Sequence, residues 1–239
     1  MFPAPPDGWL HSRWHWYRFP FSLRNTVLWS PFLEAWFSPE DESAIECMLH
    51  MPSYEPVSWV SPRSGDIVLD VGAYIGWYAI QAARAVGPLG KVLALEPDTS
   101  NRRQLERNLS LNGISNCTVV SKAAWSSVEE IGWHADSVPV WRRPDRLELM
   151  SSVPGVTIDS LVADLRLPAI NWIKMDIEGT ELEALRGAED VLRRFHPSLF
   201  IEIHETLGDL RCFLAGFGYT IEESRFDELP DRHGWILAR

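Results

Sequence analysis

From residue 66 onward the chain alternates short, β-rich apolar runs with stretches of helical periodicity, and no other feature restricts its fold as strongly. The strand-like runs are 66–71, 91–96, about 118–122, 171–177 and 198–204, with two shorter ones at 220–223 and 235–238. Helical stretches fall between them. One covers 77–86 and is ended by Gly87-Pro88, and a second, capped by Thr99 or Ser100, runs through Leu105 and Leu109 until Asn112-Gly113 stops it. Two more are predicted over 181–195 and 207–216. Strands separated by helices predict a parallel sheet covered by helices, a doubly wound α/β domain. Between 126 and 156 the periodicity weakens to a short strand near 131–134 and a Pro- and charge-rich loop over 136–154, and loops of that length are usually functional or mobile.

At 239 residues with 46% hydrophobic content, the chain can bury one full core. Residues 63–239 read as the α/β domain and 1–62 as an N-terminal arm, which holds Pro3, Pro5, Pro6 and six of the twelve tryptophans. In that arm Trp9, Trp14, Trp16, Trp29 and Trp36 are interleaved with Arg13, Arg18 and Arg24. Capping an active site, forming a homodimer and lying at a membrane interface are all open to such a segment, and packing against the domain is the default. Pro20 and Pro31 weaken the membrane reading because they interrupt any single amphipathic helix.

The net charge of −11 disfavours nucleic acid as a partner. Cys47, Cys117 and Cys212 are odd in number and lack metal-ligand spacing, so neither a disulfide framework nor a zinc site is expected. No secretory leader pattern opens the sequence and no stretch is long and apolar enough to span a bilayer, so the expectation is a cytoplasmic protein.

The segment from Asp70 through Val71, Gly72, Ala73, Tyr74 and Ile75 to Gly76 joins the first strand to the first helix. Glycines there permit positive φ and close approach of a ligand to the backbone. A dinucleotide fingerprint requires a second glycine where Tyr74 stands, which argues against NAD. Asp70 is unwelcome beside a pyrophosphate but suits a cationic ligand, and this favours S-adenosylmethionine. Glu96 ends the second strand, where a carboxylate can accept hydrogen bonds from both ribose hydroxyls, and Pro97 turns the chain away. Read singly, each of these residues also fits a plain β-α turn. Their joint placement on successive strand ends, at the crevice where open α/β sheets bind ligands, points to a cofactor site.

Asp176, Glu178 and His204 fall at or just beyond the ends of the fourth and fifth strands, on the same sheet edge as Gly72 and Glu96. Strand alternation would put Asp176 and Glu178 on one side, free to converge on a substrate hydroxyl or a divalent cation, with Lys174 further down that side. The alternative for both acids is stabilising the N-terminus of the following helix. For His204 a buried structural role stands beside that of a base, and Glu202 reads as a paired structural acid.

The stretch 66–76, Leu95-Glu96-Pro97 and above all IKMDIEGTE at 173–181, followed by Leu185-Arg186-Gly187-Ala188, resemble the FkbM-type methyltransferase family over roughly residues 54–204. The resemblance implies a seven-stranded Rossmann-like sheet with an antiparallel last strand, S-adenosylmethionine as cofactor, and O-methylation of a small molecule or sugar. It places cofactor contacts on Asp70, Gly72, Ala73, Gly76, Glu96 and the Ala124-Trp125 region, and Tyr54-Glu55 resembles the family's acidic position near the cofactor's methionine end. Tyr74 departs from the family's usual Asn, and the aromatic arm has no counterpart there. The expected activity is methyl transfer to a hydroxyl of a small molecule or glycan. An N- or C-methyltransferase of proteins, and a non-catalytic cofactor-binding subunit, are the competing readings.

Overall fold

The computed structural model describes residues 27–31, 33–40, 44–45, 56–133, 151–204, 206–226 and 233–239. In chain order, β1 (Leu28–Ser30) and β2 (Ala35–Phe37) form a hairpin, and the α/β alternation begins with β3 (Ile67–Val71), α1 (Trp77–Val86), β4 (Lys91–Leu95), α2 (Thr99–Leu111) and β5 (Cys117–Val120). Three strands of a small side sheet follow, β6 (Ala123–Ala124), β7 (Glu130–Trp133) and β8 (Ser151–Val156). The chain returns through α3 (Ile158–Asp164), β9 (Trp172–Met175), α4 (Glu181–Arg186), α5 (Glu189–Phe195), β10 (Ser198–His204), α6 (Leu207–Ala215), β11 (Ile221–Phe226) and β12 (His233–Ala238).

Seven strands form the main sheet in the order β11-β12-β10-β9-β3-β4-β5. The five strands from β10 to β5 run parallel, while β12 lies antiparallel between β10 and β11. This is the mostly parallel sheet with an antiparallel last strand that the family resemblance implies. Both faces are covered. Odd-numbered positions of the central strands, such as Leu69, Val71, Leu93, Ile173 and Met175, pack with α3, α4, α5 and α6. Even-numbered positions, such as Val68, Val92, Ala94 and Trp172, pack with α1, α2 and the hairpin. The period of two therefore assigns Asp70, Lys174 and Glu202 to a known face before any side chain is placed.

Side chains of α2 and of its C-cap Asn112 help hold the hairpin to the domain. Asn112, Asn108 and Gln104 accept hydrogen bonds from the backbone N–H groups of Trp36, Ser38 and Glu40 at 2.9, 2.8 and 2.9 Å. Ala35 and Phe37 are buried in the core of that face, while Trp29 and Trp36 are half exposed with ring centroids 5.1 Å apart. Trp9, Trp14 and Trp16 lie outside the described residues. Among those described, no helix is long and apolar enough to cross a membrane.

Four local expectations are corrected. The cap of α2 is Asp98, not Thr99 or Ser100, because its carboxylate accepts from both Ser100 N and Asn101 N. The predicted strand 171–177 ends at Met175, and the chain then turns through Glu178, whose left-handed φ of 57° no strand accommodates. The tail of the predicted 136–154 loop is strand β8, with Pro154 opposite Glu130 in β7; its described partner on the other side, β6, begins pairing only at Gly155. A proline without N–H is tolerated where one side of a strand lacks a partner. Residues 134–150 lie outside the described set.

The predicted helix 181–195 is two helices, α4 and α5, divided at Gly187-Ala188. Here another segment intrudes: a Cβ on Gly187 would stand 2.0 Å from the carbonyl oxygen of Trp125. Gly187 accordingly welds the side sheet to the helical layer. Gly187→Ala is expected to destabilise the protein by about 1–3 kcal/mol through overpacking. Gly208→Ala in α6, where a Cβ would meet nothing within 4 Å, should be neutral or stabilising by up to about 1 kcal/mol. Thermal unfolding of the two variants checks the contrast.

Candidate active site

Parallel pairing puts the C-terminal ends of β3, β4, β9 and β10 on one edge, with Val71 in register with Leu95 and Met175, and Met175 with Ile201. Every polar group predicted from the strand ends is gathered there. The tightest contact is between the two central strands. Gly72, at φ 79°, passes so close to β9 that an added Cβ would lie 1.9 Å from the backbone oxygen of Asp176. Only glycine satisfies both the left-handed angle and the approach.

Asp70 and Lys174 are direct register partners across this contact, and both side chains are buried. The Lys174 ammonium lies 3.5 Å from Asp70 Oδ1 and 3.7 Å from Asp176 Oδ2, and it donates to the Gly72 carbonyl at 3.1 Å. One cation thus serves two carboxylates and the glycine turn. Burial still pushes the Asp70 carboxyl up to about 6, because desolvation outweighs the attraction of Lys174.

Glu96 sits one strand away and is 5% exposed. Its Oε2 accepts from Tyr74 N at 2.9 Å, and its Oε1 accepts from Asp98 N at 2.9 Å and Asn101 Nδ2 at 3.4 Å. Tyr74 reaches this carboxylate because its own φ is 47°, which aims its N–H outward from the turn. When ionised, the carboxylate can accept about four bonds in all, so these leave capacity for a ligand. Burial pushes its carboxyl up to about 8 despite the Tyr74 and Asn101 hydrogen bonds. Buried acceptors with spare capacity on a glycine turn fit a nucleoside presenting vicinal hydroxyls and a positive charge.

On the other half of the edge, a donor atom from each of Asp176, Glu178 and His204 lies within 4.8 Å of the other two. Their convergence owes nothing to strand alternation, since β9 has ended; the left-handed turn at Glu178 and Gly179 folds the carboxylates toward β10. His204 is buried, with Nδ1 3.0 Å from Glu181 Oε1 and Nε2 3.5 Å from Glu178 Oε2. Burial alone would lower its pKa, but the Glu181 hydrogen bond and the charges of Asp176, Glu181 and Glu178 raise it above the ordinary histidine value. Glu181 is fully buried and also accepts from Gly179 N at 2.8 Å. It ties the turn before α4 through Gly179 and orients His204, a role that sequence reasoning missed. Glu202 is paired as expected, 2.7 Å from His233 Nε2.

The remaining candidates are less central. Ala73 is buried in the glycine turn and Gly76 begins α1 at φ 88°. Pro97 is half-buried after Glu96, and Ala124 is buried in β6 with Trp125 donating its N–H to Val156 at 2.9 Å. Glu55 lies outside the described residues.

Comparison with known proteins now identifies the chain. A family model described as the methyltransferase FkbM domain matches residues 70–221. The chain belongs to this family. It is an S-adenosylmethionine-dependent methyltransferase of the FkbM type. A curated relative, methyltransferase sdnD of Sordaria araneosa, is 26% identical over 74% of this chain and 82% of its own length. The 31-O-demethyl-FK506 methyltransferase FkbM of Streptomyces tacrolimicus is 28% identical over 52% of this chain and 43% of its own. Among solved structures, a FkbM methyltransferase from Methylobacillus flagellatus KT superposes with a TM-score of 0.56 at 23% identity, covering 83% of this chain and 55% of that one. The FkbM-type chain thus spans about half the length of that crystallised relative. Its sheet also matches Aeropyrum pernix fibrillarin, a structure with bound S-adenosyl-L-methionine, at a TM-score of 0.52 and 15% identity over 75% of this chain and 69% of that one.

The two raised carboxyls set a pH dependence. Folded Glu96 and Asp70 keep protons that the unfolded chain releases near its ordinary values of 4.5 and 3.8, so raising the pH favours unfolding until about 8. In the ligand-free protein the melting temperature should fall between pH 5 and 8, and Glu96→Gln should flatten that fall. A wild-type melting temperature that rises over this range contradicts the assignment.

Proposed function

We propose that this FkbM-type enzyme methylates a hydroxyl oxygen of a small molecule or glycan, with the cofactor held by the β3–β4 half of the edge and the acceptor by the β9–β10 half. The observation that carries this reading is the Asp176, Glu178 and His204 cluster beside the Lys174-centred strand contact. When bound, S-adenosylmethionine supplies an electrophilic methyl group on a sulfonium. Glu96 is proposed to take the ribose hydroxyls on its free acceptor capacity, and the Gly72–Gly76 turn to let the ligand approach the backbone. Asp70 contributes negative potential that suits a cationic ligand, and Ala73, Tyr74, Pro97, Ala124 and Trp125 complete the proposed cofactor surroundings.

A hydroxyl is a weak nucleophile whose pKa lies far above 7, so its proton must be taken or its oxygen polarised as the new bond forms. An amine acceptor in its neutral form needs no such help. The acidic cluster around His204 provides acceptors for that proton within one small volume, and this supports oxygen over nitrogen as the methylated atom. Asp176 and Glu178 face the acceptor; Glu181 is a positioning residue that fixes the imidazole by holding Nδ1. The Streptomyces relative is named for a substrate lacking a methyl on an oxygen, which points the same way.

Calorimetric titration should show binding of S-adenosylmethionine and none of NADH. Glu96→Ala should weaken that binding by roughly 10–100-fold, the loss expected for hydrogen bonds to a buried carboxylate. With 13C-methyl-labelled cofactor and a panel of hydroxylated acceptors, the chemical shift of the transferred methyl should report attachment to oxygen. Attachment to nitrogen or carbon, or binding of NADH instead, would overturn the reading.

A further inference from the structure

We infer that Asp176, Glu178 and His204 form a binding site for a divalent transition-metal cation, with Glu181 as the residue that orients its histidine ligand. The inference rests on the proposed acceptor half of the edge and names the agent that polarises the hydroxyl. Three facts on the geometry carry it, beginning with the donor spacing. Two donors each about 2.1 Å from a shared ion lie roughly 3.0 Å apart when adjacent and roughly 4.2 Å apart when opposite. The three donor atoms here all lie within 4.8 Å of one another, so small side-chain movements bring them onto one ion. The 3.5 Å between His204 Nε2 and Glu178 Oε2 is long for a hydrogen bond but suits two ligands of a common cation.

The second fact is the tautomer. Glu181 Oε1 lies 3.0 Å from Nδ1 while also accepting from Gly179 N, so in the neutral imidazole that a cation binds Nδ1 carries the hydrogen and Nε2 presents its lone pair. That nitrogen is buried and has no hydrogen-bond partner among the described residues. A carboxylate holding the remote nitrogen of a histidine whose other nitrogen points at two more carboxylates is the usual outer-sphere arrangement of metal-bound imidazoles. The third fact is charge. Asp70, Asp176, Glu178 and Glu181 surround the edge with Lys174 as the cation beside them, and Lys174 already sits against Asp70 and Gly72. A divalent ion offsets the remaining negative charge.

A neighbouring triplet, Glu202, His204 and His233, meets the same distance limit. It is the weaker choice, because Glu202 and His233 are already joined at 2.7 Å and His204 Nδ1 belongs to Glu181. One imidazole with two carboxylates favours manganese, iron or zinc over calcium, whose sites are built from oxygens. Three protein ligands leave positions for water or an acceptor hydroxyl, whose pKa a bound cation lowers.

The test uses the full chain dialysed against chelator and titrated with Mn2+, with free Mn2+ read by electron paramagnetic resonance and Ca2+ as the competing ion. Wild type should bind one Mn2+ with a rise in melting temperature, and excess Ca2+ should displace it poorly. Asp176→Asn and Glu178→Gln should each weaken binding by at least about tenfold, and Glu181→Gln should weaken it by about 10–100-fold while leaving the circular dichroism spectrum unchanged. Asp164→Asn, exposed at the C-terminal end of α3, should bind as wild type does. No Mn2+ binding by wild type, or equal binding by Asp176→Asn and Glu178→Gln with native spectra, overturns the site. Methyl transfer to a hydroxyl that survives chelation undiminished removes the cation while leaving the proposed O-methylation intact. Mn2+ binding by a protein that methylates only nitrogen or carbon retains the site and removes that function.

Discussion

The Lys174 ammonium holds the centre of this molecule together, and the rest of the site depends on it. Taking a charge out of water costs several kcal/mol unless partners offset it, and a carboxylate left without its cation costs about as much again. Lys174 answers to Asp70, Asp176 and the Gly72 carbonyl at 3.1–3.7 Å, and its ammonium lies 5.9 Å from the centroid of the Tyr78 ring on α1. β3, β9, the glycine turn and the first helix are therefore joined at one atom. The contact also needs Gly72, since any side chain there would drive the two strands apart at the Asp176 carbonyl.

From that junction the edge divides into two halves with different chemistry. Toward β4, the acceptor is the buried carboxyl of Glu96, already engaged by backbone N–H groups of Tyr74 and Asp98. Toward β10, the groups are an imidazole and three carboxylates crowded into a turn. Asp70 and Asp176 share the same cation, so binding of a positive ligand on one half alters the field on the other. The proposed transfer from a cationic donor to a hydroxyl needs its two partners held side by side, which is the arrangement that two polar half-sites meeting at a common ion pair would supply.

Much of this was legible because it follows from short-range periodicity. Trp77–Val86 ends where Gly87-Pro88 predicts, and the two-residue period assigns Asp70 and Lys174 to the face they occupy. The Gly72–Gly76 turn and the position of Glu96 were readable for the same reason, as features of one strand and its following turn. What stayed hidden depends on segments far apart in sequence. Nothing near Gly187 announces that the Trp125 carbonyl will press against it, so a single helix over 181–195 is the natural reading. Asp98 outcompeted Thr99 and Ser100 as the α2 cap through a backbone angle that composition does not encode. Glu181 looked like one more acid in a helical first turn; only the arrival of β10, with His204 at its end, gives it an imidazole to orient.

The claim that both halves of this edge form one site is tested most directly by a crystal structure of the protein with S-adenosylhomocysteine. The account predicts the ribose hydroxyls within hydrogen-bonding distance of the Glu96 carboxylate and the sulfur directed toward Asp176, Glu178 and His204. A ligand seated away from Glu96, or bound there with its sulfur facing away from those three residues, would contradict it.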